Sequence, residues 1–356
     1  MLNIINHKSL VLGIMSGTSM DGLDISCAQY YQKNNIWEFN LIASKTFEYS
    51  DSIKSDLLKV FRKELTVLEM DIKFGHIISD YIEVFVKKNN LDINLISSHG
   101  HTIFHDPDNG YSHQVGSGSV ILERLKIPVV CNFRQQDINL GGQGAPLVPV
   151  GDQLLFSQYD SCLNLGGIAN ISFQIQNVRY AYDICPCNMI LNHLASKTGK
   201  DFDEFGSISS TGKIDVNLLN QLNKIHYYTL EMPKSLSKEY VDSNFLPIID
   251  QSQLSIQDIL ATCVEHIAFQ IVTTFLKYDI SNSLLTGGGT FNNYLLSRIS
   301  HFHNIDLIIP SGDIINFKES IIFGFLGVLK ILNKTNCLSS VTGCSKDHSS
   351  GEIYLP

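Results

Sequence analysis

The chain has 356 residues, of which 44% are apolar and 17% are charged, so it has enough hydrophobic side chains for globular cores and is not predominantly disordered. At roughly 150 residues per domain, this length predicts about two domains. Its 26 Lys and Arg residues against 35 Asp and Glu residues give a formal net charge of −9. Without a long basic run to offset that charge, nucleic acid and membrane surfaces are not expected partners.

Neither end of the sequence predicts a membrane segment. The apolar run at residues 321–329 meets Lys330 well before the roughly 20 residues that a bilayer requires, so it predicts a buried helix. Residues 8–15 have too short an apolar core for a signal peptide, and no cleavage site follows. The eight cysteines form no tight framework, and Cys185 and Cys187 lack a second matching pair for zinc, so we expect reduced thiols in a cytoplasmic protein.

Two glycine-rich turns each separate two β-rich segments, one in each half of the chain. The first turn, MSGTSMDG at residues 15–22, lies between apolar residues 10–14 and the alternating residues 23–28. The second is centred on Gly166 and Gly167 within the sequence SCLNLGGIANISFQ. Both patterns predict strand, turn and strand. A duplicated architecture and two unrelated glycine hairpins remain alternative explanations at this point.

Between these hairpins, His101 and His105 have the i,i+4 spacing of a zinc-binding helix. The glutamate of the His-Glu-x-x-His motif is absent, however, and Gly100 and the turn formers at residues 107–110 argue against a helix, so a zinc site is not expected. Farther on, residues 128–138 run from a strand into a polar segment that contains Arg134. This arginine could pair with a carboxylate or phosphate of a ligand, or form a surface ion pair.

Asp183 follows a β-like run and precedes Pro186 and an amphipathic segment, so it could be a general base at the end of a strand or the N-cap of a helix. A third glycine element, LLTGGGTFNN at residues 284–293, predicts a strand, a turn and a helix, which brings backbone close to a ligand. Neither a P-loop nor a Gly-x-Gly-x-x-Gly motif follows a strand, so any nucleotide would be bound by the hairpins. Glu319 opens an apolar helix, where it could complement the helix dipole or serve a site.

Five sequence blocks, in order along nearly the whole chain, resemble the anhydro-N-acetylmuramic acid kinase family: residues 13–22, 98–102, 141–149, 164–171 and 286–293. The resemblance implies an α/β fold of two related hexokinase/actin-like (ribonuclease H-like) domains with ATP in an interdomain cleft. We place the N-terminal domain at residues 1–159 and the C-terminal domain at 160–338. Residues 339–356 are a candidate to complete the first domain.

The implied reaction joins hydrolysis to phosphorylation. Water attacks the anomeric carbon of a 1,6-anhydro amino sugar, while the released 6-oxygen accepts the γ-phosphoryl group of ATP, giving N-acetylmuramic acid 6-phosphate and ADP. Such chemistry requires a base for water, a phosphate cradle and Mg²⁺. The resemblance also suggests a homodimer. Another sugar or acid kinase of the same fold and a non-catalytic nucleotide-dependent binding protein remain alternatives.

By the resemblance, Asp183 is the catalytic base and Glu319 is a second catalytic candidate. The family's usual surroundings of this aspartate are FDTGPGN, from which Ile184, Cys185 and Cys187 depart. Residues 98–102 resemble the family's substrate-side loop, in which His101 stands where the family usually has Gln and could instead be a loop histidine in solvent. His99, Thr102, Arg134 and Gly144 match sugar-side positions. The nucleotide cradle comprises Gly17, Thr18, Ser19, Met20, Asp21, Gly22, Leu23, Asp24, Gly166, Gly167, Asn170, Gly287, Gly288 and Gly289. No direct protein ligand is expected for Mg²⁺, which would arrive with ATP and meet Asp21 or Asp24 through water.

Overall fold

The computed structural model describes residues 9–17 and 20–356 of the chain and divides into two units. The first unit extends to Phe156 and resumes with Phe317–Pro356, while the second is the continuous span Ser157–Asn316. The first crossing lies three residues before the predicted boundary at Asp160. The second crossing lies farther from its predicted position, because the chain returns to the first unit at Phe317 and not near Ser339.

Twelve strands lie in the described residues: β1 (Leu10–Ser16), β2 (Gly22–Lys33), β3 (Ile36–Glu48), β4 (Ile93–Asp106), β5 (Tyr111–Val115), β6 (Val129–Cys131), β7 (Ser161–Leu165), β8 (Ile168–Ile175), β9 (Val178–Pro186), β10 (Asn282–Thr286), β11 (Asp306–Ile308) and β12 (Glu352–Tyr354). The α-helices are α1 (Asp51–Phe61), α2 (Val67–Asn89), α3 (Gly118–Leu125), α4 (Gln135–Asn139), α5 (Val148–Leu155), α6 (Asn188–Ser196), α7 (Val216–Asn223), α8 (Lys238–Asn244), α9 (Leu246–Asp250), α10 (Ile256–Lys277), α11 (Asn293–Phe302), α12 (Gly312–Ile331) and α13 (Ser339–Thr342).

The two units contain sheets with the same order and direction of strands. In the first unit, the order is β3-β2-β1-β4-β6-β12, and β5 pairs with β4. In the second, it is β9-β8-β7-β10-β11. Each sheet begins with a three-stranded antiparallel meander, whose first strand then pairs in parallel with a later strand. This shared topology confirms the prediction of two related α/β domains and favours duplication over two unrelated hairpins.

Apolar helices cover the sheet of each unit. In the first, α2 begins with a capping box in which Thr66 and Glu69 exchange hydrogen bonds, and its buried face includes Phe74 and Ile78. In the second, α10 is buried along most of its length. This helix is long and apolar enough to cross a bilayer, but 83% of its most apolar 18-residue stretch is buried within the structure, as expected of a core helix.

Helix α12 belongs largely to the first unit because it packs closely on β1. A Cβ atom added to Gly13 would overlap the carbonyl oxygen of Ser320, and one added to Gly324 would lie 2.6 Å from Tyr30 Oη. Residues 321–329 are part of this helix and are buried, as predicted. The predicted C-terminal domain, residues 160–338, included this helix, whereas the structure groups the chain from Phe317 onward with the first unit.

Candidate active site

The first glycine turn joins β1 to β2, as predicted. Thr18 and Ser19, predicted to bind phosphate, lie outside the described residues. Met20 has a positive φ of 57° and donates its N–H to Gly17 O (3.3 Å). Gly22, Leu23 and Asp24 already pair within the sheet, and the Leu23 side chain is fully buried. Among the described residues of this turn, Gly17, Met20 and Asp21 lie outside the pairing of β1 with β2.

Asp24 lies beside this turn and accepts a hydrogen bond from Thr46 Oγ1 (2.5 Å). Burial raises the pKa of Asp24, and the neighbouring carboxylate of Asp21 adds to that effect. Carboxylate oxygens are ligands that Mg²⁺ accepts directly or through water, and a cation would relieve the repulsion between the two groups. Asp21 and Asp24 therefore fit the predicted role beside a magnesium nucleotide.

His99, Arg134 and Gly144, predicted to face the sugar, form one network in the first unit. Arg134 donates from Nε to His99 Nε2 (3.0 Å) and from a terminal nitrogen to Gly144 O (2.7 Å). The His99 Nδ1–H donates to Gly100 O (2.9 Å), which assigns the neutral tautomer with an acceptor at Nε2. Burial, followed by the charge of Arg134, holds the pKa of His99 well below its usual range. His99 is therefore uncharged at neutral pH, with its proton on Nδ1, and its unprotonated Nε2 positions the charged arginine.

The structure corrects the prediction of a loop at residues 98–102, because this segment lies within β4. Because His101 and His105 both lie in β4, their i,i+4 spacing does not place them on one face of a helix and does not indicate a zinc site. His101 is not a solvent-exposed histidine: it is buried, and its Nδ1 is 2.8 Å from Ser16 Oγ at the end of β1. Burial lowers its pKa to about 4. Thr102 is separate from the His99 network and accepts a long hydrogen bond from Gln114 (3.4 Å).

Asp137 is a residue that sequence reasoning missed. It is fully buried, and its Oδ2 accepts the N–H of Gly144 (2.7 Å), the same residue whose carbonyl holds Arg134. Thr342 Oγ1 donates to Asp137 Oδ1 (2.8 Å). The only local signal is that Asp137 follows Arg134 by three residues, since Thr342 is 205 residues away in the sequence.

Glu319 lies in the middle of α12, eight residues into a helix that begins at Gly312, so the prediction that it opens the helix is wrong. Its side chain retains solvent exposure, yet the surrounding protein raises its pKa, while Lys318 and Arg134 act in the opposite direction. The adjacent Lys318 forms a buried ion pair with Asp152 (2.8 Å). Arg134 and Glu319 therefore influence each other electrostatically within the first unit, and Asp24 also acts on Glu319.

In the second unit, two predicted glycine elements meet. Gly166 and Gly167 close the β7–β8 hairpin, and their carbonyl oxygens accept the N–H groups of residues 187–189 at the start of α6 (2.8–3.1 Å). Gly287 has a φ of 82°, and a Cβ there would lie 2.6 Å from Asn164 Oδ1. Gly288 and Gly289 open a short 3-10 turn before α11, whose N-cap is Asn292. The predicted strand, glycine turn and helix are confirmed.

Asp183 lies on β9 directly opposite Asn170 of β8, which is itself opposite Asn164 of β7. Directly opposed residues of antiparallel strands share a face, so these three polar side chains form a row. Asp183 Oδ2 accepts the N–H of Leu236 (2.8 Å), and burial raises the pKa of Asp183. The alternative of a helix N-cap is wrong, because α6 begins at Asn188 and its N-cap is Cys187.

The cysteines near this aspartate occupy the hydrophobic core. Cys185 and Cys187 are fully buried among the apolar side chains of the second unit. Neither residue has a positive φ, so neither position adopts the left-handed conformation that favours glycine. A β-bulge after Asp183 pairs Cys185 with Ala169 of the core while Asp183 pairs with Asn170, so Cys185 lies on the core face of β9 and Asp183 on the other.

Comparison with known proteins gives consistent matches along the whole chain. A family model described as anhydro-N-acetylmuramic acid kinase matches residues 9–356. The chain is 32% identical to the anhydro-N-acetylmuramic acid kinase of Sulfurimonas denitrificans, covering 96% of this chain and 98% of that protein. It is 30% identical to the protein of the same name from Caldanaerobacter subterraneus subsp. tengcongensis, covering 100% and 99%.

Among solved structures, the activator of the 2-hydroxyisocaproyl-CoA dehydratase from Clostridium difficile with bound ADPNP aligns with 88% of this chain and 92% of its own, at a TM-score of 0.45 and 14% identity. The family assignment rests on the sequence matches, which extend over both units and include every block that carried the resemblance. The chain belongs to the anhydro-N-acetylmuramic acid kinase family.

Proposed function

We propose that this chain is an ATP-dependent kinase acting on 1,6-anhydro-N-acetylmuramic acid in the recycling of cell-wall amino sugars. It opens the anhydro ring with water and transfers the γ-phosphoryl group of ATP to the released 6-oxygen. The products are N-acetylmuramic acid 6-phosphate and ADP. Membership of the family over residues 9–356 is the observation that carries this proposal.

In this reaction, Asp183 is the general base that accepts a proton from the attacking water. Its raised pKa supports the role, because a base with a pKa nearer to neutral accepts a proton more readily at the working pH than an ordinary aspartate does. The hydrogen bond from Leu236 N–H occupies Oδ2 and fixes the carboxylate, which leaves Oδ1 for water. Glu319 is the second candidate, with a pKa that is also raised.

Arg134 is proposed to bind the lactyl carboxylate of the sugar. Its Nε and one terminal nitrogen are held by His99 and Gly144, so the guanidinium has a fixed orientation. Burial lowers the pKa of Arg134 to about 10, which still leaves it charged at neutral pH. A desolvated, oriented guanidinium is suited to a carboxylate. Thr102 remains a proposed sugar contact.

ATP is proposed to bind at the glycine elements of both units. The backbone proposed to approach the nucleotide comes from Gly17, Met20 and Asp21 of the first turn, from the Gly166–Gly167 hairpin with Asn170, and from the turn at Gly287, Gly288 and Gly289. Mg²⁺ would neutralise charge on the β and γ phosphates. Asp21 and Asp24 are the carboxylates that would hold its water ligands.

The remaining assignments follow from the family and the composition. We propose that the two units are the functional domains, that the enzyme is a cytoplasmic homodimer, and that neither nucleic acid nor membrane is a partner. Analytical sedimentation of the full-length protein tests the homodimer.

Release of ADP, measured by a coupled assay, tests the function. We expect ADP in proportion to added 1,6-anhydro-N-acetylmuramic acid, and little with ordinary N-acetylmuramic acid or with no sugar. Equal or higher rates with an ordinary sugar would indicate a different kinase of this fold. Nucleotide binding without sugar-dependent ADP release would indicate a binding protein.

A further inference from the structure

Four side chains with metal-ligand chemistry lie together in the first unit: Asp137, Cys337, Cys344 and His348. The Sγ atom of Cys337 is 3.0 Å from Asp137 Oδ1, and His348 Nε2 is 3.8 Å from the same oxygen. The ligand atoms of Asp137, Cys337 and His348 all lie within 4.8 Å of one another, and all three residues are buried. Cys344 lies within hydrogen-bonding reach of Asp137.

The orientation of His348 is that of a metal ligand. Its Nδ1 is 3.2 Å from Lys346 O, so Nδ1–H donates to this carbonyl and Nε2 carries the lone pair. Only 5% of the side chain is exposed, and among the described residues Nε2 has no hydrogen-bond partner. Histidines that bind metals usually donate their other N–H to a carbonyl or carboxylate in this way. The unpartnered Nε2 faces the carboxylate and thiol.

The charge of Asp137 gives a second reason to expect a cation. This carboxylate has no exposed surface, and its hydrogen-bond donors among the described residues are neutral: the Gly144 N–H, the Thr342 hydroxyl and cysteine thiols. The nearby Arg134 directs its hydrogen bonds to His99 and Gly144. A buried carboxylate is costly unless a cation accompanies it.

We infer that Asp137, Cys337 and His348 bind a zinc ion, with Cys344 as the fourth ligand. A mixed set of thiolate, imidazole and carboxylate suits tetrahedral Zn²⁺, in which ligand atoms are about 3.3–3.8 Å apart. The 3.0 and 3.8 Å separations require only small movements to meet this geometry. The thiol of Cys344 is 3.7 Å from the His348 ring and must turn toward the ion. Each thiol that becomes a ligand releases its proton to solvent.

This site lies outside the proposed reaction but adjoins its sugar-side network. Asp137 binds zinc through Oδ1 while Oδ2 keeps the N–H of Gly144, whose carbonyl holds Arg134. A Cβ atom on Gly142 would overlap Asp137 Oδ2, so the loop at residues 141–144 wraps closely around the cluster. Zinc would therefore stabilise the loop that orients Arg134. Only this last consequence depends on the proposed function.

The test measures metal content and ligand chemistry, not activity. The full-length protein is stripped with a chelator under reducing conditions, loaded with Zn²⁺ or Co²⁺, and passed over a desalting column. We expect about one zinc per chain by mass spectrometry. The cobalt form should show the strong visible bands of tetrahedral Co²⁺ and a thiolate charge-transfer band. Cys337→Ser and His348→Gln should retain at least tenfold less zinc, whereas Cys131→Ser, a thiol of the same unit outside the cluster, should retain one equivalent.

Three results would overturn the inference: no zinc retained by the wild type, equal retention in His348→Gln and wild type, or a cobalt spectrum without tetrahedral and thiolate bands. If the ligand variants do not fold, as judged by circular dichroism and gel filtration, the wild-type zinc content and cobalt spectrum decide alone. Because none of these readouts uses ATP or sugar, failure here is distinct from failure of the proposed kinase function.

Discussion

Asp183 combines a buried carboxylate with a hydrogen bond that an amide can also accept. In Asp183→Asn, the side-chain oxygen still accepts the Leu236 N–H, but the group can no longer take a proton from water. We expect turnover to fall by at least about 10²-fold with little change in ATP or sugar binding. Steady-state kinetics and calorimetric titration measure the two effects.

A matched control for this change is Asp215→Asn. Asp215 is the N-cap of α7 in the same unit and accepts the Leu218 N–H (2.8 Å). Asn is an equally good N-cap, so turnover should not change. Normal turnover of Asp183→Asn would instead show that Asp183 is structural and would direct the search for the base to Glu319.

The same substitution should affect stability in a pH-dependent way. Because the pKa of Asp183 is raised in the folded state, its ionised form lowers the free energy of unfolding at neutral pH, and this cost disappears as the pH falls through the folded pKa. Asp183→Asn should therefore be more stable than the wild type at neutral pH, and the difference should vanish near or below a pH of about 4. Urea unfolding at several pH values measures this. An Asp183→Asn variant that is less stable than the wild type at neutral pH would contradict a raised pKa of Asp183 in the folded state.

His99 serves as a neutral acceptor for Arg134. His99→Leu keeps a buried side chain of similar size but removes the acceptor, which frees Arg134 Nε. A hydrogen bond to a charged group contributes about 1.5–3 kcal/mol, so KM for the amino sugar should rise about tenfold or more while KM for ATP changes little. The exposed His113 provides the control substitution, His113→Leu. Equal effects on both KM values would argue against a sugar-side role for this network.

At the scale of elements, the prediction missed the close backbone contact between Gly13 of β1 and Ser320 of α12. Gly13→Ala would drive a methyl group into the Ser320 carbonyl, and we expect a loss of about 3 kcal/mol or more, at the upper end of overpacking effects. Gly312→Ala is the matched control, because no atom lies within 4 Å of a Cβ there and a helical alanine is favoured over glycine. Chemical denaturation should therefore show opposite signs for the two variants.

Local patterns explain which elements were predictable. The two hairpins and the Gly287–Gly289 turn are marked by glycine between β-rich segments, and these short-range signals were sufficient. The strand through His99 and Thr102 was not recognised, because Gly100 resembles a loop residue while its positive φ fits a bulged strand.

The missed parts of the site depend on contacts between distant residues. Asp137 meets Cys337 and Thr342 about 200 residues later, and Gly13 meets Ser320 more than 300 residues later. Periodicity and turn chemistry carry no information about such pairs, since both describe neighbours along the chain. The family resemblance identified Arg134 and Asp183 but not the hydrogen bonds that orient them.

For the whole molecule, the two sheets share one topology although their elements differ in length. Strand β2 has 12 residues, while its counterpart β8 has 8. The first sheet also has β5 and β12, for which the second sheet has no partner strands among the described residues. A common sheet order with different additions agrees with a duplicated ancestor whose halves diverged outside the shared strands.

The return of the chain at Phe317 has a consequence for synthesis. The second unit is complete once Asn316 has left the ribosome, whereas the first still lacks most of α12 and all of α13 and β12 at that moment. Domains fold as units during translation, usually in N-terminal order, but here the later unit should finish first. Nascent chains stalled when Asn316 has emerged should contain a protease-resistant second unit and a cleavable first unit. Resistance in both at that length would show that the first sheet forms without α12 and β12.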